Sequence, residues 1–354
     1  MIHSFGRNSR FVAPAVYHFP PGKICIFFQK NGVPWVVQDD GCVFPESQRA
    51  DDLLQALLQC AKSRNVQIQT SVTVKRLVAE PSEDSLRRIV CVETSAGDIT
   101  PQRVILATGG MSYPALGSDG SGFKMLEQLG LNVEPPLPAL AAIKTVESWP
   151  EEVAGIVLKN AALRIQQKGG SKCEGEILFT HEGISAPPAL NLSGEISYLL
   201  ARTEGSPVKI ELNMDSTRSA EDWFSLFDQW RMGRGGRSIH NLLSGELPRT
   251  LAQLLCRQAE LSDCAVARAS KEKLCNLVTL LTACPLHIKA VDGWNKAMLT
   301  RGGLSTKELD PQTLACRSVS NLHCVGEVVD VDGPCGGYNL TWAFASGTLA
   351  AESL

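Results

Sequence analysis

Residues suited to binding a bulky anionic ligand lie close together near the carboxyl end of the chain. Glu327 follows the apolar segment 322–326, and the pair Gly336 and Gly337 comes shortly afterwards. A carboxylate accepts hydrogen bonds from ligand hydroxyls, glycines let the backbone approach a ligand, and the amides that begin a helix favour negative charge. The pattern indicates a ligand-binding turn, with a helix-capping loop as the alternative. The candidate binding residues here are Gly326, Glu327, Asp332, Gly336, Gly337, Tyr338, Asn339 and Leu340.

A second segment, 103–110, runs from a short apolar strand into the sequence Ala-Thr-Gly-Gly. This shape is typical of the turn at which a flavoprotein chain passes FAD, although the same turn occurs in any α/β protein. Taken together, the two segments predict an FAD-binding domain that is discontinuous in sequence. The candidate cofactor-binding residues of this segment are Ala107, Thr108, Gly109 and Gly110.

Two further positions could take part in chemistry. His181 follows a predicted strand and can donate the proton that accompanies hydride transfer to a double bond. A histidine hydrogen-bonded within a connecting turn is the alternative. Thr300 begins the glycine-rich segment 300–303, which is predicted to place a hydroxyl and backbone amides near a flavin, with a plain strand-to-turn connection as the alternative. Cys335 lacks the second cysteine that a disulfide mechanism needs.

Composition favours an enzyme of the cytoplasm. The chain has 354 residues, of which 44% are hydrophobic and 20% charged, which is enough for two or three domains. A net charge of −3 gives no general attraction to nucleic acid or to an anionic membrane. We find neither a signal peptide nor a stretch of about 20 apolar residues. The twelve cysteines form no C-x-x-C pair, so we expect reduced thiols and no metal site.

Local patterns place these candidates on predicted elements. Residues 49–64 have the periodicity of a helix, with an apolar face that includes Leu54, Leu57 and Leu58 and leads into a strand over residues 66–68. Alternating segments predict a β-meander: the strands are 72–78 and 89–94, joined by a charged turn, 80–88. A helix over 122–129 ends at Gly130, and prolines at 135, 136 and 138 interrupt the chain.

These elements predict an α/β fold with three parts. Residues 1–135 and 295–354 are predicted to form a Rossmann-like FAD-binding domain of the two-dinucleotide-binding flavoprotein type. Residues 136–215 and 285–294 form a β-barrel-like middle domain, and residues 216–284 form a helical insertion within it.

Long stretches of the chain resemble the YhiN/BaiN-like flavoproteins, some of which carry the label aminoacetone oxidase-like. The matching stretches are ATGGMSYPALGSDGSGFKMLEQLG, GEILFTHEGISAPPALNLS, LPRTLAQLL, LTRGGLSTKEL and GEVVDVDGPCGGYNLTWAFASG. The resemblance implies an FAD domain, a β-barrel domain with a helical insertion, and a backbone group near Val74 that meets the adenine. Where the family has Ser-Gly-Pro, this chain has Ala186, which would be strained at a positive φ.

The family pattern begins with a strand, a G-x-G-x-x-G turn, a helix, an acidic residue and a GGGRCN segment, and the present sequence contains none of these. Such a turn holds the pyrophosphate at a helix N-terminus, and the acid holds a ribose hydroxyl. We therefore expect an N-terminally truncated form with weak or absent FAD binding. Half of a split enzyme and a chain that has lost flavin are the alternatives.

The function expected from these features is reduction of an activated carbon–carbon double bond by an FAD-dependent oxidoreductase, with NAD(P)H as a candidate electron donor. Glu327 would hold the ribityl chain, and the amides of residues 337–340 would stabilise charge near flavin N1 and O2. Two substrate classes are candidates, a small molecule and uracil in RNA. The chain is also a candidate homo-oligomer. The basic run 231–237 is either a flexible patch that can follow a phosphate backbone or a solvated interhelical loop. The alternative function is therefore that of a non-catalytic protein that binds RNA or a partner.

Overall fold

The computed structural model describes residues 1–82 and 86–354. The helices are α1 Ser9–His18, α2 Pro21–Lys30, α3 Ala50–Ser63, α4 Ser121–Gln128, α5 Trp149–Glu152, α6 Pro187–Arg202, α7 Ala220–Arg234, α8 Ile239–Leu243, α9 Arg249–Gln258, α10 Lys271–Thr282 and α11 Tyr338–Glu352. The strands are β1 Trp35–Val37, β2 Val43–Pro45, β3 Val74–Pro81, β4 Arg87–Thr94, β5 Val104–Leu106, β6 Val133–Ala139, β7 Ile143–Thr145, β8 Val157–Ile165, β9 Lys172–Phe179, β10 Gly183–Ser185, β11 Val208–Asn213, β12 Cys284–Val291, β13 Leu299–Leu304 and β14 Leu322–Cys324. Across these ranges, no helix combines the length and the apolar character needed to cross a membrane.

The chain divides into two compact units, each of which has its own core. One unit consists of Met1–Pro136 and Leu299–Leu354, and the other consists of Leu137–Met298. The first mixes helices with parallel and antiparallel strand pairs, and the second contains a closed β-barrel. The predicted α/β class with a barrel-bearing middle part is therefore confirmed.

Strand pairs in the first unit position the two glycine-rich turns. Strands β5 and β14 pair in parallel, so both strands end at the same edge of this small sheet, and a turn follows each of them. Strands β3 and β4 form an antiparallel ribbon. The buried side chain of Asn321 accepts a hydrogen bond from the Ile89 N–H at 2.8 Å and donates one to the Ile89 carbonyl at 2.9 Å. A single amide thus ties the ribbon to the start of β14, because it satisfies both backbone groups of one β4 residue.

The core of the first unit lies around α11 and α4. Trp342 on α11 is buried and packs its ring against Phe11 of α1, with ring centroids 5.9 Å apart. Leu126 on α4 and Ala345 on α11 are fully buried in the same cluster. Small side chains on the buried face of α11, such as Ala345 and Ser346, let neighbouring elements approach closely.

One local prediction for the first unit was wrong. Residues 66–68 form no strand, and Val66 and Ile68 are more than half exposed, since no described strand lies beside them to accept their hydrogen bonds. The predicted helix over residues 49–64 is α3, and its leucines at 54, 57 and 58 are exposed. The prolines at 135, 136 and 138 lie inside β6, whose one partner among the described strands is β13, and the first unit ends at Pro136. Of the predicted charged turn, residues 83–85 lie outside the described residues.

The second unit is a six-stranded closed barrel with strand order β10-β7-β12-β11-β8-β9 among the described residues. Barrel side chains such as Ile210 and helix side chains such as Trp223 and Leu277 belong to one buried cluster, so the helices complete the barrel core. Ala186 has a φ of 78°, which confirms the strain expected for alanine at a glycine position. The run 231–237 is not all loop, because α7 continues through Arg234 and ends in a turn.

Candidate functional site

Three segments of the first unit meet at the carboxylate of Glu327. The Thr300 N–H donates a hydrogen bond to Glu327 Oε1 at 2.7 Å, and the Met111 N–H donates one to Thr300 Oγ1, also at 2.7 Å. The Ser112 hydroxyl lies 3.4 Å from Thr300 Oγ1. The turn after β5, the strand β13 and the turn after β14 are therefore joined through one threonine and one glutamate.

The glycines of the first turn let these segments pack closely. A Cβ on Gly110 would lie 2.6 Å from Glu327 Oε1 and would overlap the side chain of Thr300. Gly109 has a φ of 71°, and a Cβ there would lie 2.6 Å from the Ser118 hydroxyl. Real Cβ atoms are not found this close to other heavy atoms, so both positions require glycine for the local packing.

The carboxylate of Glu327 is largely buried, and burial changes its pKa. Burial raises the pKa of Glu327, and hydrogen bonds from Thr300 and Ser112 oppose that shift only in part. The folded chain therefore binds the proton of Glu327 more tightly than the unfolded chain does. Any stabilisation from the protonated form is complete below the unfolded pKa and is lost as the pH rises through the folded pKa.

The Glu327→Gln variant is expected to gain thermal stability over the parent at about pH 7.5 and to show a much smaller gain at about pH 4. The amide oxygen can still accept the Thr300 hydrogen bond, whereas the cost of the buried charge is gone. Melting temperatures across this pH range measure the effect. Asp222→Asn is the contrast, because hydrogen bonds from Ser219 lower the pKa of Asp222. That variant should lose stability mainly above the unfolded pKa, and a pH-independent gain for Glu327→Gln would contradict the electrostatic explanation.

The second glycine-rich turn leads into α11 and leaves the start of that helix open. Gly336 and Gly337 have φ values of 114° and 83°, and a Cβ on Gly337 would meet no atom within 4 Å. No side chain among the described residues caps the first turn of α11, and that turn contains no acidic residue. The first amides of a helix have no acceptor within the helix itself. The first N–H groups of α11, those of residues 338–340, are therefore available to an anionic or electron-rich ligand.

Side chains of α11 hold the loop that precedes it at two positions, Gly326 and Gly333. The Asn339 amide accepts a hydrogen bond from the Gly333 N–H at 2.7 Å and donates one to the Gly333 carbonyl at 2.9 Å. The Trp342 indole N–H donates to the Gly326 carbonyl at 3.0 Å, and Ser346 Oγ accepts from the Gly326 N–H, also at 3.0 Å. The loop 326–337 is thus anchored to the helix that follows it, which keeps the Glu327 turn and the α11 amides in one rigid frame.

Acidic side chains in the same loop are already paired. Asp330 is buried and accepts both hydrogen bonds of the Arg7 guanidinium, at 2.9 and 3.0 Å. Burial raises the pKa of Asp330, while Arg7 opposes this shift. Asp332, which was predicted to bind the cofactor, accepts a hydrogen bond from Arg301 at 3.2 Å. The sequence analysis missed the Arg7–Asp330 pair, because no local pattern links residues this far apart in the chain.

The other predicted site residues lie at different places. Thr108 has a buried hydroxyl without a hydrogen-bond partner among the described residues, while Ala107 beside it is exposed. Val74 begins β3 and pairs with Thr94. His181 belongs to the second unit, in an exposed turn between β9 and β10. Thr300 and Glu327 join the turn after β5 to the turn after β14, whereas the binding and catalytic roles of the predicted site residues, Val74 and His181 included, stay predictions.

Two more predicted residues have structural contacts of their own. The Tyr338 ring packs edge-on against the buried ring of Phe5, with centroids 6.0 Å apart. Leu340 is 66% exposed, so its side chain faces outward from the first turn of α11. The segment 300–303 is part of β13 rather than a loop, and its threonine hydroxyl already accepts the Met111 N–H.

The arrangement can hold a ligand that carries both hydroxyl groups and an electron-rich edge. Glu327 offers a carboxylate, the start of α11 offers free amides, and the unpaired Thr108 hydroxyl can donate or accept one hydrogen bond. A buried hydroxyl without a partner costs free energy, so the Thr108 hydroxyl, which lies against Gly122 at the start of α4, fits a polar group supplied by a ligand. These donors and acceptors fit the ribityl and pyrimidine parts of a flavin.

The chain is similar to known proteins over nearly its whole length. A family model described as the HI0933-like protein Rossmann domain matches residues 1–353. A 3-dehydro-bile acid delta(4,6)-reductase from Clostridium scindens is 30% identical, over 98% of this chain and 83% of its own length. A ribosomal RNA dihydrouridine synthase from Escherichia coli is 27% identical, over 98% of this chain and 82% of its own. Among solved structures, the open conformation of a flavocytochrome c3 fumarate reductase aligns with 99% of this chain and 66% of its own, with 13% identity and a TM-score of 0.45.

Proposed function

Because the chain belongs to the HI0933-like Rossmann-domain family of FAD-binding oxidoreductases, we propose that it reduces an activated carbon–carbon double bond with bound FAD. The observation that carries the proposal is the link between the turn after β5 and the turn after β14, made by Thr300 and Glu327. A buried carboxylate therefore begins the loop that leads to the first amides of α11, and the Thr108 hydroxyl in the turn after β5 has no hydrogen-bond partner among the described residues. The bile acid reductase among the relatives supports double-bond reduction as the reaction.

Each group of the site has a defined role in this proposal. Glu327 accepts hydrogen bonds from the ribityl hydroxyls, and the Thr108 hydroxyl completes its hydrogen bonding with the same ligand. The amides of residues 338–340 stabilise negative charge at the pyrimidine edge of the ring, helped by the positive end of the α11 dipole. When bound, FAD supplies the hydride for the double bond. His181 is the proposed proton donor, and NAD(P)H the proposed source of electrons.

We also propose that the polypeptide of residues 1–354 binds FAD weakly. Its sequence contains no strand, G-x-G-x-x-G turn and helix in succession, so no helix N-terminus of that type holds the pyrophosphate. The contacts described above all serve the flavin half of the cofactor.

The decisive experiment is a titration of the purified chain with FAD, followed by an assay of double-bond reduction. We expect little absorbance at about 450 nm as purified, the usual flavin band, and a saturable spectral change when FAD is added in excess. The loaded protein, supplied with NADPH, should then convert an enone to the saturated ketone. Stoichiometric yellow protein as purified would refute weak binding, whereas an absence of saturable binding would refute the FAD proposal itself.

The relatives leave two substrate classes for the same reaction. One relative is named for a bile acid and two are named for ribosomal RNA, in which a dihydrouridine is formed. Both substrates contain a carbon–carbon double bond next to a carbonyl group, so the flavin chemistry does not distinguish them. The shape and polarity of the surface beside the turn that precedes α11 can distinguish the two substrate classes.

A further inference from the structure

An apolar pocket of about 240 Å³ lies beside the turn that precedes α11, entirely within the first unit. Its walls come from α2, the β1–β2 hairpin, α3 and α11, and they include the aromatic rings of Phe28, Trp35, Phe44 and Phe344. Gly336 forms part of its edge. We propose that this pocket binds an uncharged, flat ring compound of one or two rings as the substrate, an assignment that rests on the proposed function.

The polarity of the lining selects against a nucleotide. Among the described residues that line the pocket there is no lysine, arginine, histidine, aspartate or glutamate. The Thr341 hydroxyl, which is one of the few polar groups present, already donates a hydrogen bond to the Gly337 carbonyl at 2.9 Å. A uracil ring would therefore bury donors and acceptors that no side chain of the lining can pair, and its phosphates would meet no cationic side chain. A compound with a single carbonyl group avoids both costs.

The walls are preformed and their ligand-facing rings are accessible. The rings of Phe28 and Phe344 meet edge-to-face with centroids 5.5 Å apart, which fixes the inner wall between α2 and α11. The outer wall is the hairpin, in which Trp35 pairs with Pro45 and Val36 with Phe44. Trp35 and Phe44 are each 41% exposed, so both can lose further surface to a bound ring.

The size of the pocket sets the size of the compound. An apolar cavity of about 150 Å³ holds one benzene ring. A pocket of about 240 Å³ therefore holds one to two fused rings, and a larger molecule would have to leave its remaining rings outside. Because Gly337 and Leu340 belong both to the lining and to the proposed flavin site, a ring in this pocket would lie next to the cofactor.

The test uses the full chain of residues 1–354 and octalone, a two-ring enone, with uridine monophosphate as the polar comparison. Binding is measured by isothermal titration calorimetry for the parent, for Phe44→Glu and for Val37→Glu. Val37 is the matched control, because it is 54% exposed on the same hairpin and does not line the pocket. Far-UV circular dichroism and the melting temperature establish that each variant is folded.

We expect octalone to bind the parent and Val37→Glu equally, and to bind Phe44→Glu about tenfold or more weakly, because an aromatic wall is replaced by a charge. Uridine monophosphate should give no heat of binding. Equal octalone affinity in all three proteins, tighter binding of uridine monophosphate, or displacement of octalone by riboflavin would each overturn the proposal.

FAD titration of the same samples separates this inference from the function on which it rests. Saturable FAD binding without octalone binding overturns the pocket assignment alone. Octalone binding in a protein that never binds FAD overturns the proposed function and, with it, the identification of the ring compound as a substrate.

Discussion

Replacement of Gly110 by alanine is expected to lower the free energy of unfolding by about 1–3 kcal/mol, as overpacking of a tight contact does. It is also expected to weaken FAD binding about 100-fold, the cost of displacing a ligand-positioning group by about 1 Å. The added Cβ would overlap Thr300 and lie 2.6 Å from Glu327 Oε1. The backbone of Gly110 has no positive φ, so the variant changes packing alone. Urea unfolding and FAD titration measure the two effects.

Gly347→Ala is the matched control for that experiment. Gly347 lies within α11, has an ordinary φ, and a Cβ there would meet no atom within 4 Å. Alanine is favoured over glycine inside a helix by about 0.5–1 kcal/mol. This variant should therefore gain a little stability and bind FAD as the parent does. If Gly110→Ala behaves like Gly347→Ala, the close packing of Gly110 against Thr300 and Glu327 is contradicted.

The Thr108→Val variant is expected to change stability and cofactor affinity in opposite directions. The buried Thr108 hydroxyl has no partner among the described residues. Its removal should stabilise the FAD-free chain by about 1 kcal/mol, since an unsatisfied buried polar group carries a cost of that order. The same change should weaken FAD binding up to about tenfold, because a hydrogen bond contributes about 0.5–1.5 kcal/mol. Melting temperature without cofactor and FAD titration are the two measurements.

Thr94→Val provides the comparison, since the buried Thr94 hydroxyl already donates a hydrogen bond to the Gly97 carbonyl. That substitution removes a satisfied bond and should destabilise the chain by about 1 kcal/mol, without a specific effect on FAD. Destabilisation of both variants, with unchanged FAD affinity in Thr108→Val, would contradict a ligand-binding role for the Thr108 hydroxyl.

The most reliable sequence predictions concerned contiguous residues. The helix at the carboxyl end, the strand before each glycine-rich turn and the short α4 helix followed by Gly130 all lie where the patterns indicated. Periodicity and the left-handed conformation of glycine are properties of neighbouring residues, so they can be recognised in a single segment. The two glycine-rich turns, which make up about half of the site, were recognisable from such patterns within one segment.

The wrong prediction of a strand over residues 66–68 has a physical cause, which is the missing information about neighbours. Such a segment becomes a strand only where another strand accepts its hydrogen bonds, and the described chain offers none there. The prolines at 135, 136 and 138 lie where the two units divide, but their place inside a strand depends on the pairing of β6 with β13. Strand propensity depends on what lies beside the segment, and one segment alone does not show this.

By itself the sequence determined the family resemblance, the α/β class and the two glycine-rich turns, because each is written in a run of adjacent residues. The tertiary structure alone decided that Thr300 and Met111 connect Glu327 to the first turn, that Arg7 neutralises Asp330, and that an uncharged aromatic pocket borders Gly336. These contacts join segments from opposite ends of the chain. Their geometry arises from the packing of the whole unit, since no local pattern records which distant side chain will meet a given atom.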